Sequence, residues 1–263
     1  AGRPVHSVTN HDKGAARRLR DAPLIDHIDG DLRLGRFIMQ LSDNVSPLQT
    51  QTPWPGEGTG SGAVRLLAPY DALFREGDET TAFYEILSGA VRAYKIFPDG
   101  RRQIVAFAFP GDIVGFGHGD TYRFDCDSLT TTRVRIIHKL SLLRAMRDRP
   151  ELAEKLLDVA RGEVETLQDL SLLLCRKTAI ERIASFLLTM ARKSANPASG
   201  ERLPLPMCRA DIADYLGLTI ETVSRNMTRL RALRIIDLPD RGSFQVRSLE
   251  RLRQLAECDG YSH

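Results

Sequence analysis

Residues 209–236 read R-A-D-I-A-D-Y-L-G-L-T-I-E-T-V-S-R-N-M-T-R-L-R-A-L-R-I-I, two amphipathic stretches broken by a single glycine, and no other segment restricts the fold so closely. Ile212, Ala213 and Leu216 fall at helical spacing. Gly217 supplies the left-handed residue that ends such a helix, and Leu218 fills the corner. Thr219 stands where an N-cap belongs, able to accept a backbone N–H from the next turn. Val223, Met227 and Leu230 form the inner stripe of a second helix, so the segment predicts a tight helix-turn-helix.

The outer face of that second helix carries Ile220, Glu221, Ser224, Arg225 and Arg229. In a helix-turn-helix the start of the second helix enters the major groove, where side chains need donors and acceptors matched to base edges. Arg225 suits guanine O6 and N7, Glu221 suits cytosine N4, Ser224 suits a small polar contact and Ile220 a thymine methyl. Arg209, Thr219, Arg229, Arg231 and Arg234 suit phosphates. From 219 to 234 there are four arginines against one acid. The plainer reading is a core helix with a solvated charged face. Two features argue against it: a glutamate that no salt bridge calls for, and a following wing. Ile235, Ile236 and Leu238, a turn at 239–242, then Phe244 and Val246 predict that wing as two strands.

With these residues the chain resembles the CRP/FNR superfamily of bacterial transcription regulators, and its FixK branch in particular. The resemblance spans roughly residue 64 to the C-terminus. It rests on E-T-V-S-R at 221–225, the preceding D-I-A-D-Y-L-G-L-T, G-D at 77–78, F-Y-E-I-L-S-G-A-V-R-A-Y from 83 and F-P-G-D-I-V-G-F from 109. It implies that Glu221, Ser224 and Arg225 read a TTGAT-type half-site in a two-fold symmetric operator. It also implies RNA polymerase as a partner and genes of microaerobic respiration, nitrogen fixation or denitrification as targets.

From 64 to about 138, short apolar runs alternate with turn signals, among them Ser88-Gly89, Pro98-Asp99-Gly100 and Pro110-Gly111-Asp112, which predicts an antiparallel β-roll. Relatives hold an effector there. A cyclic nucleotide needs an acid for the ribose and an arginine for the phosphate. By the resemblance these follow the P-G-D segment, where this chain reads V-G-F-G-H-G-D-T-Y-R-F-D, with Phe116 at the position of the acid and only Arg123 nearby. The expectation is that no cyclic nucleotide is required. An FNR-type iron–sulfur cluster needs several thiolates in the N-terminal segment, and no cysteine precedes Cys126. His118 and His138 stand too far apart for a clustered metal site, and a lone His118 in a glycine-rich loop is a weak haem ligand. Neither a cofactor nor a catalytic constellation is expected, so the chain is not read as an enzyme.

Between the two regions Arg149-Pro150 ends a short helix and opens a long one. Leu152, Leu156, Val159, Glu163, Leu167, Leu170 and Leu174 recur mostly at three- and four-residue steps, which predicts pairing with a second copy; the alternative is packing on the chain's own roll, and both can hold. A homodimer carrying two reading helices matches a palindrome. A helix at 178–193 follows, then a polar loop at 194–201.

The four cysteines, Cys126, Cys175, Cys208 and Cys258, are scattered, which suits a reducing compartment rather than a disulfide scaffold. Cys208 stands at the N-cap before R-A-D, where it can form a capping box with Asp211. Backbone N–H groups and Arg209 favour a thiolate there while Asp211 opposes it, and the expectation is oxidative switching-off through Cys208, with an inert cap as the equal alternative. Neither a membrane span nor a secretory signal is read, so the protein is expected to be cytoplasmic. The net charge of +3 does not by itself argue for nucleic acid.

The whole reads as α+β, in four parts: a mostly disordered extension at 1–60 with a modest amphipathic segment near 32–41, an antiparallel cyclic-nucleotide-binding-like roll at 61–140, a dimerisation helix region at 141–177 and a winged helix-turn-helix at 178–263. The rival readings are a regulator of this fold that needs an unidentified small ligand in the roll, and a ligand-binding regulatory subunit of an enzyme, for which the E-T-V-S-R helix has no use.

Overall fold

A computed structural model of the protein describes residues 2, 63–116, 120–193 and 200–257. The extension at 1–60 with its 32–41 segment, His118, most of the 194–201 loop and Cys258 lie outside the described residues.

The predicted roll forms from eight strands: β1 (Val64–Leu67), β2 (Ala72–Phe74), β3 (Ala82–Ser88), β4 (Val91–Ile96), β5 (Arg102–Ala108), β6 (Ile113–Val114), β7 (Asp125–Ser128) and β8 (Thr132–His138). They make two antiparallel sheets, ordered β1-β8-β3-β6 and β2-β7-β4-β5, so β5 is an edge strand. The Asp99-Gly100 turn closes the β4–β5 hairpin, with Phe97 N–H donating to Arg101 O at 2.8 Å. Gly89 turns β3 into β4 at φ +88°; a Cβ there would lie 2.4 Å from Thr132 Oγ1, so no other residue fits. Between the sheets Leu67, Leu73, Phe74, Ile86, Val91, Cys126 and Val134 form an apolar core.

Helix α1 (Lys139–Asp148) and the long α2 (Glu151–Arg176) meet at Arg149-Pro150, as the proline predicts. At 26 residues α2 is about 39 Å long. Its faces correct the expected pairing stripe. Leu152 is fully buried, and Leu156 and Val159 pack beside Ile137 and Leu142, with Phe83, Ile113 and Met146, against the chain's own roll. Leu170 is also buried within the chain. The apolar side chains left exposed are Leu157 (64%), Val164 (53%), Leu167 (50%) and Leu172 (49%). Of the residues expected to pair, Leu167 alone belongs to this exposed set, and one exposed or half-buried row of α2 carries Ala153, Leu157, Ala160, Val164, Leu167 and Ser171 at alternating steps of four and three.

Beyond α2 come α3 (Ala179–Arg192), β9 (Leu203–Pro204), α4 (Arg209–Leu216), α5 (Ile220–Ala232), β10 (Ile236–Asp240), β11 (Ser243–Val246) and α6 (Leu249–Glu257). Thr178 and Glu181 close a capping box on α3, which explains its sharp start. The wing carries one strand more than the two expected: β9 pairs with β11, giving the order β10-β11-β9. A two-residue strand ending in proline leaves no alternation to read. Ile183, Leu187, Ile212, Leu216, Val223, Met227, Leu230, Phe244 and Leu252 build the core of this half. Ala90 and Leu129 of the roll belong to the same cluster, and Phe107 packs on it.

Candidate nucleic-acid interface

The reading helix is set up by local chemistry. Cys208 caps α4, with Asp211 N–H donating to Cys208 Sγ at 3.5 Å and Cys208 N–H donating to Asp211 Oδ2 at 3.2 Å. Gly217 ends α4 in the left-handed conformation at φ 61°, and Leu218 N–H returns to Ala213 O. Thr219 then caps α5, its hydroxyl accepting from Thr222 N–H at 3.2 Å. Val223, Met227 and Leu230 are fully buried, at roughly 2 kcal/mol of apolar burial each, which fixes the opposite face outward.

That outward face presents Ile220, Glu221, Ser224 and Arg225 together, all exposed. The Glu221 backbone N–H, the Thr219 hydroxyl and nearby Arg225 hold the Glu221 carboxyl below its ordinary range, although its slight desolvation opposes them. Glu221 is therefore ionised and can only accept hydrogen bonds, the property a cytosine amino group requires. Arg229, Arg231 and Arg234 are exposed along the helix and at its end. Arg234 takes φ 55° as α5 closes through Ile235 N–H to Leu230 O at 3.1 Å, a position where glycine is usual.

Arg209 sits differently from these. It is half-buried, and its Nη1 is buried with no hydrogen-bond partner among the described residues. Burial lowers its guanidinium below the ordinary value against the pull of Cys208. Beside it opens a recess of about 410 Å³ lined by Leu205, Pro206, Met207, Cys208, Arg209, Arg241 and Gly242. Cys208 is exposed here, and its thiol donates to Asp211 Oδ2 at 3.1 Å.

Sequence reasoning missed Arg182. Its guanidinium donates to Lys177 O, Leu174 O and Leu216 O at 2.8 to 3.0 Å, tying the end of α2 to the end of α4. Three carbonyls at two helix ends make a favourable cradle for a cation. No local pattern announces it, because its partners are backbone atoms of other elements.

The roll interior holds a buried phenol. This is Tyr122, stacked on Phe74 at 4.0 Å between ring centres, with its hydroxyl donating to Ala82 O at 2.6 Å. Burial raises the Tyr122 phenol far above its ordinary value, so it carries no charge. Phe116 packs on Phe83 at 5.0 Å, and Arg123 is exposed. Among the described residues no group of three or more His, Cys, Asp or Glu side chains is placed to hold a metal, and no helix is long and apolar enough to cross a membrane.

Comparison with known proteins agrees with this architecture. Residues 64–149 match the cyclic nucleotide-binding domain and residues 181–255 the Crp-like helix-turn-helix domain. The chain is 44% identical over 161 residues to the nitrogen fixation regulation protein FixK of Bradyrhizobium diazoefficiens, covering 61% of this chain and 68% of that one. It is 36% identical to the FixK of Rhizobium meliloti, covering 76% and 90%. Among solved structures, that of FixK2 from Bradyrhizobium japonicum superposes with a TM-score of 0.70 at 37% identity, covering 77% of this chain and 99% of that one. With its roll, long helix and winged reading head in this order, the chain belongs to the Crp/Fnr family of transcription regulators, in its FixK branch, and not to a family of enzymes.

Proposed function

We propose that this protein activates transcription as a homodimer bound to a two-fold symmetric operator of TTGAT-type half-sites, requires neither cyclic nucleotide nor iron–sulfur cluster, and acts with RNA polymerase. The observation that carries the reading is the exposed set Ile220, Glu221, Ser224 and Arg225 on one face of a rigidly capped helix, flanked by Arg229, Arg231 and Arg234. One acceptor, one bidentate donor and two small contacts are what a short base sequence needs, and the flanking arginines supply the phosphate term. The exposed seam of Leu157, Val164 and Leu167 supports a parallel pairing of α2 with its copy, which sets two reading helices about one DNA turn, roughly 34 Å, apart. The filled roll interior supports activity without an effector. The relatives' name, nitrogen fixation regulation protein, supports genes of that process as targets.

Cys208 is the proposed off switch. Its exposed thiol opens on a recess shared with Arg209 and Arg241 at the first helix of the reading head. Oxidation to a sulfenic or sulfinic acid, or capping by glutathione, puts bulk or negative charge where the DNA backbone is to approach.

The test is a titration of purified protein against a duplex bearing TTGAT and ATCAA half-sites, with a scrambled control, at fixed salt, with and without thiol reductant and with no effector added. Specific binding when reduced is the expected result. Failure to bind when reduced returns the case to a regulator that needs a ligand in its roll. Arg225→Ala abolishes specific binding while leaving fold and dimer intact; full binding by that variant refutes the readout.

A further inference from the structure

The edge strand of the roll carries much of its contact with the reading head. Side chains of β4 and β5 meet α4 of the reading head, Arg92 and Phe107 standing opposite each other in the β4–β5 register, and the contacts across that junction are largely polar. Gln103 Nε2 donates to Asp214 O at 2.6 Å. Arg102 donates from Nε to Asp214 Oδ2 and from Nη2 to Asp211 Oδ1, each at 2.7 Å. Arg92, one strand further in, donates from Nη1 to Asp211 Oδ1 at 2.5 Å. Beside this lattice Phe107 of β5 packs on Tyr215 of α4 at 5.1 Å and Phe186 of α3 at 6.2 Å.

Arg92 already has a partner within the roll, since Asp127 takes its Nε at 2.7 Å and its Nη2 at 3.1 Å. The roll's own folding therefore does not call for Asp211. The third donor of Arg92 and both donor groups of Arg102 are committed to acids that only the reading head supplies, which is the mark of an orientation device. Buried ion pairs contribute little net stability against apolar replacements, but their directional bonds admit one geometry. Helices α4 and α5 share one core through Ile212, Leu216, Val223 and Met227, so whatever fixes α4 fixes α5. The junction engages Asp211, Asp214 and Tyr215, and it leaves Ile220, Glu221, Ser224 and Arg225 exposed. A clasp that spares the reading face positions it rather than hiding it.

We propose that Arg92, Arg102 and Gln103 are positioning residues for DNA reading: they lock the winged helix-turn-helix to the roll in one orientation, built wholly from the chain's own side chains, so that the two reading heads of a dimer arrive at a fixed separation. The inference rests on the dimeric DNA-reading function proposed above for its DNA-binding arm, and on the junction alone for its hydrogen-exchange arm.

The experiment uses the full-length protein with Arg102→Met and Gln103→Ala combined, with Asp214→Asn as an independent break from the other side and Arg102→Lys as the conservative control. The first readout is hydrogen exchange of the β5 amides at 102–108, expected to speed at least tenfold in the broken variants at unchanged far-UV dichroism. The second is DNA binding to a single half-site, to the palindrome at the spacing the wild type prefers, and to a palindrome one base pair longer. The broken variants should keep half-site affinity within twofold, lose about tenfold or more on the preferred palindrome, and discriminate poorly between spacings, with Arg102→Lys restoring most of the discrimination. A simple folding defect lowers half-site and palindrome binding together. Unchanged β5 exchange and unchanged spacing preference in both broken variants overturn the proposal. If the wild type ignores the palindrome altogether, the DNA-reading function fails, and the exchange arm alone decides whether the lock exists.

Discussion

Replacing Asp211 with asparagine should remove about 2–3 kcal/mol of folding free energy. The carboxylate is 2% exposed and accepts four hydrogen bonds, from Arg92 Nη1 and Arg102 Nη2 on one oxygen and from the Cys208 N–H and thiol on the other. Asparagine keeps one acceptor and turns a donor toward two donors. Removing one partner of a buried ion pair costs roughly 3–5 kcal/mol where the other charge is stranded. Here Arg92 retains Asp127 and Arg102 retains Asp214, so neither guanidinium is left bare and the cost falls to the lower end of that range or below it, about 2–3 kcal/mol. Burial works against the Asp211 charge, yet the Cys208 thiol, Arg92, Arg102 and the Cys208 backbone N–H together hold its carboxyl below the ordinary range. A depressed carboxylate stabilises the fold fully above its unfolded value of about 3.9 and loses that contribution as pH falls through the lower folded value. Urea unfolding followed by circular dichroism at pH 7 should show the deficit at an unchanged slope, and the gap between wild type and variant should narrow as pH falls below about 4. A deficit under about 1 kcal/mol at pH 7, or a gap as wide in acid as at neutrality, refutes the reasoning.

Val164→Glu combined with Leu157→Glu places two charges on the exposed seam of α2 and should yield a monomer by sedimentation, with far-UV dichroism unchanged because neither side chain is in the core. Leu152→Glu should instead unfold the protein, since that residue is fully buried. Arg234→Gly relieves a left-handed arginine and should raise stability by about 1 kcal/mol in thermal melting while weakening DNA binding uniformly across sequences. Cys208→Ser should keep DNA binding in reducing buffer and abolish its loss under peroxide, and a serine variant as sensitive as wild type refutes the switch.

The reading head was legible because each of its signals is local. Gly217, Thr219 and the Cys208–Asp211 box act within four residues of themselves, and the structure places all three as caps or turns. The roll was legible from its punctuation, the Asp99-Gly100 and Ser88-Gly89 turns above all. Helix α2 misled because it is apolar on two faces. Leu152, Leu156 and Val159 keep the same helical rhythm as Leu157, Val164 and Leu167, and rhythm does not tell which face meets the chain's own roll. Tyr122 and Arg182 gave no signal because their partners lie in other elements. The same holds for Arg92 and Arg102, which meet Asp211 from 119 and 109 residues away.

The shared core between roll and reading head bears on whether this roll could accept another head. Ala90, Leu129 and Phe107 are roll residues by position yet pack into the cluster built around Ile212 and Met227. A chimera cut at the end of α2 and fitted with a foreign head would bare these apolar side chains together with Arg92 and Arg102, and exposed apolar patches recruit other chains. A foreign head keeps this junction only if it brings a matching α4, with acids where Asp211 and Asp214 stand and an aromatic ring where Tyr215 stands. The two halves are separate along the sequence, yet here they fit as a pair.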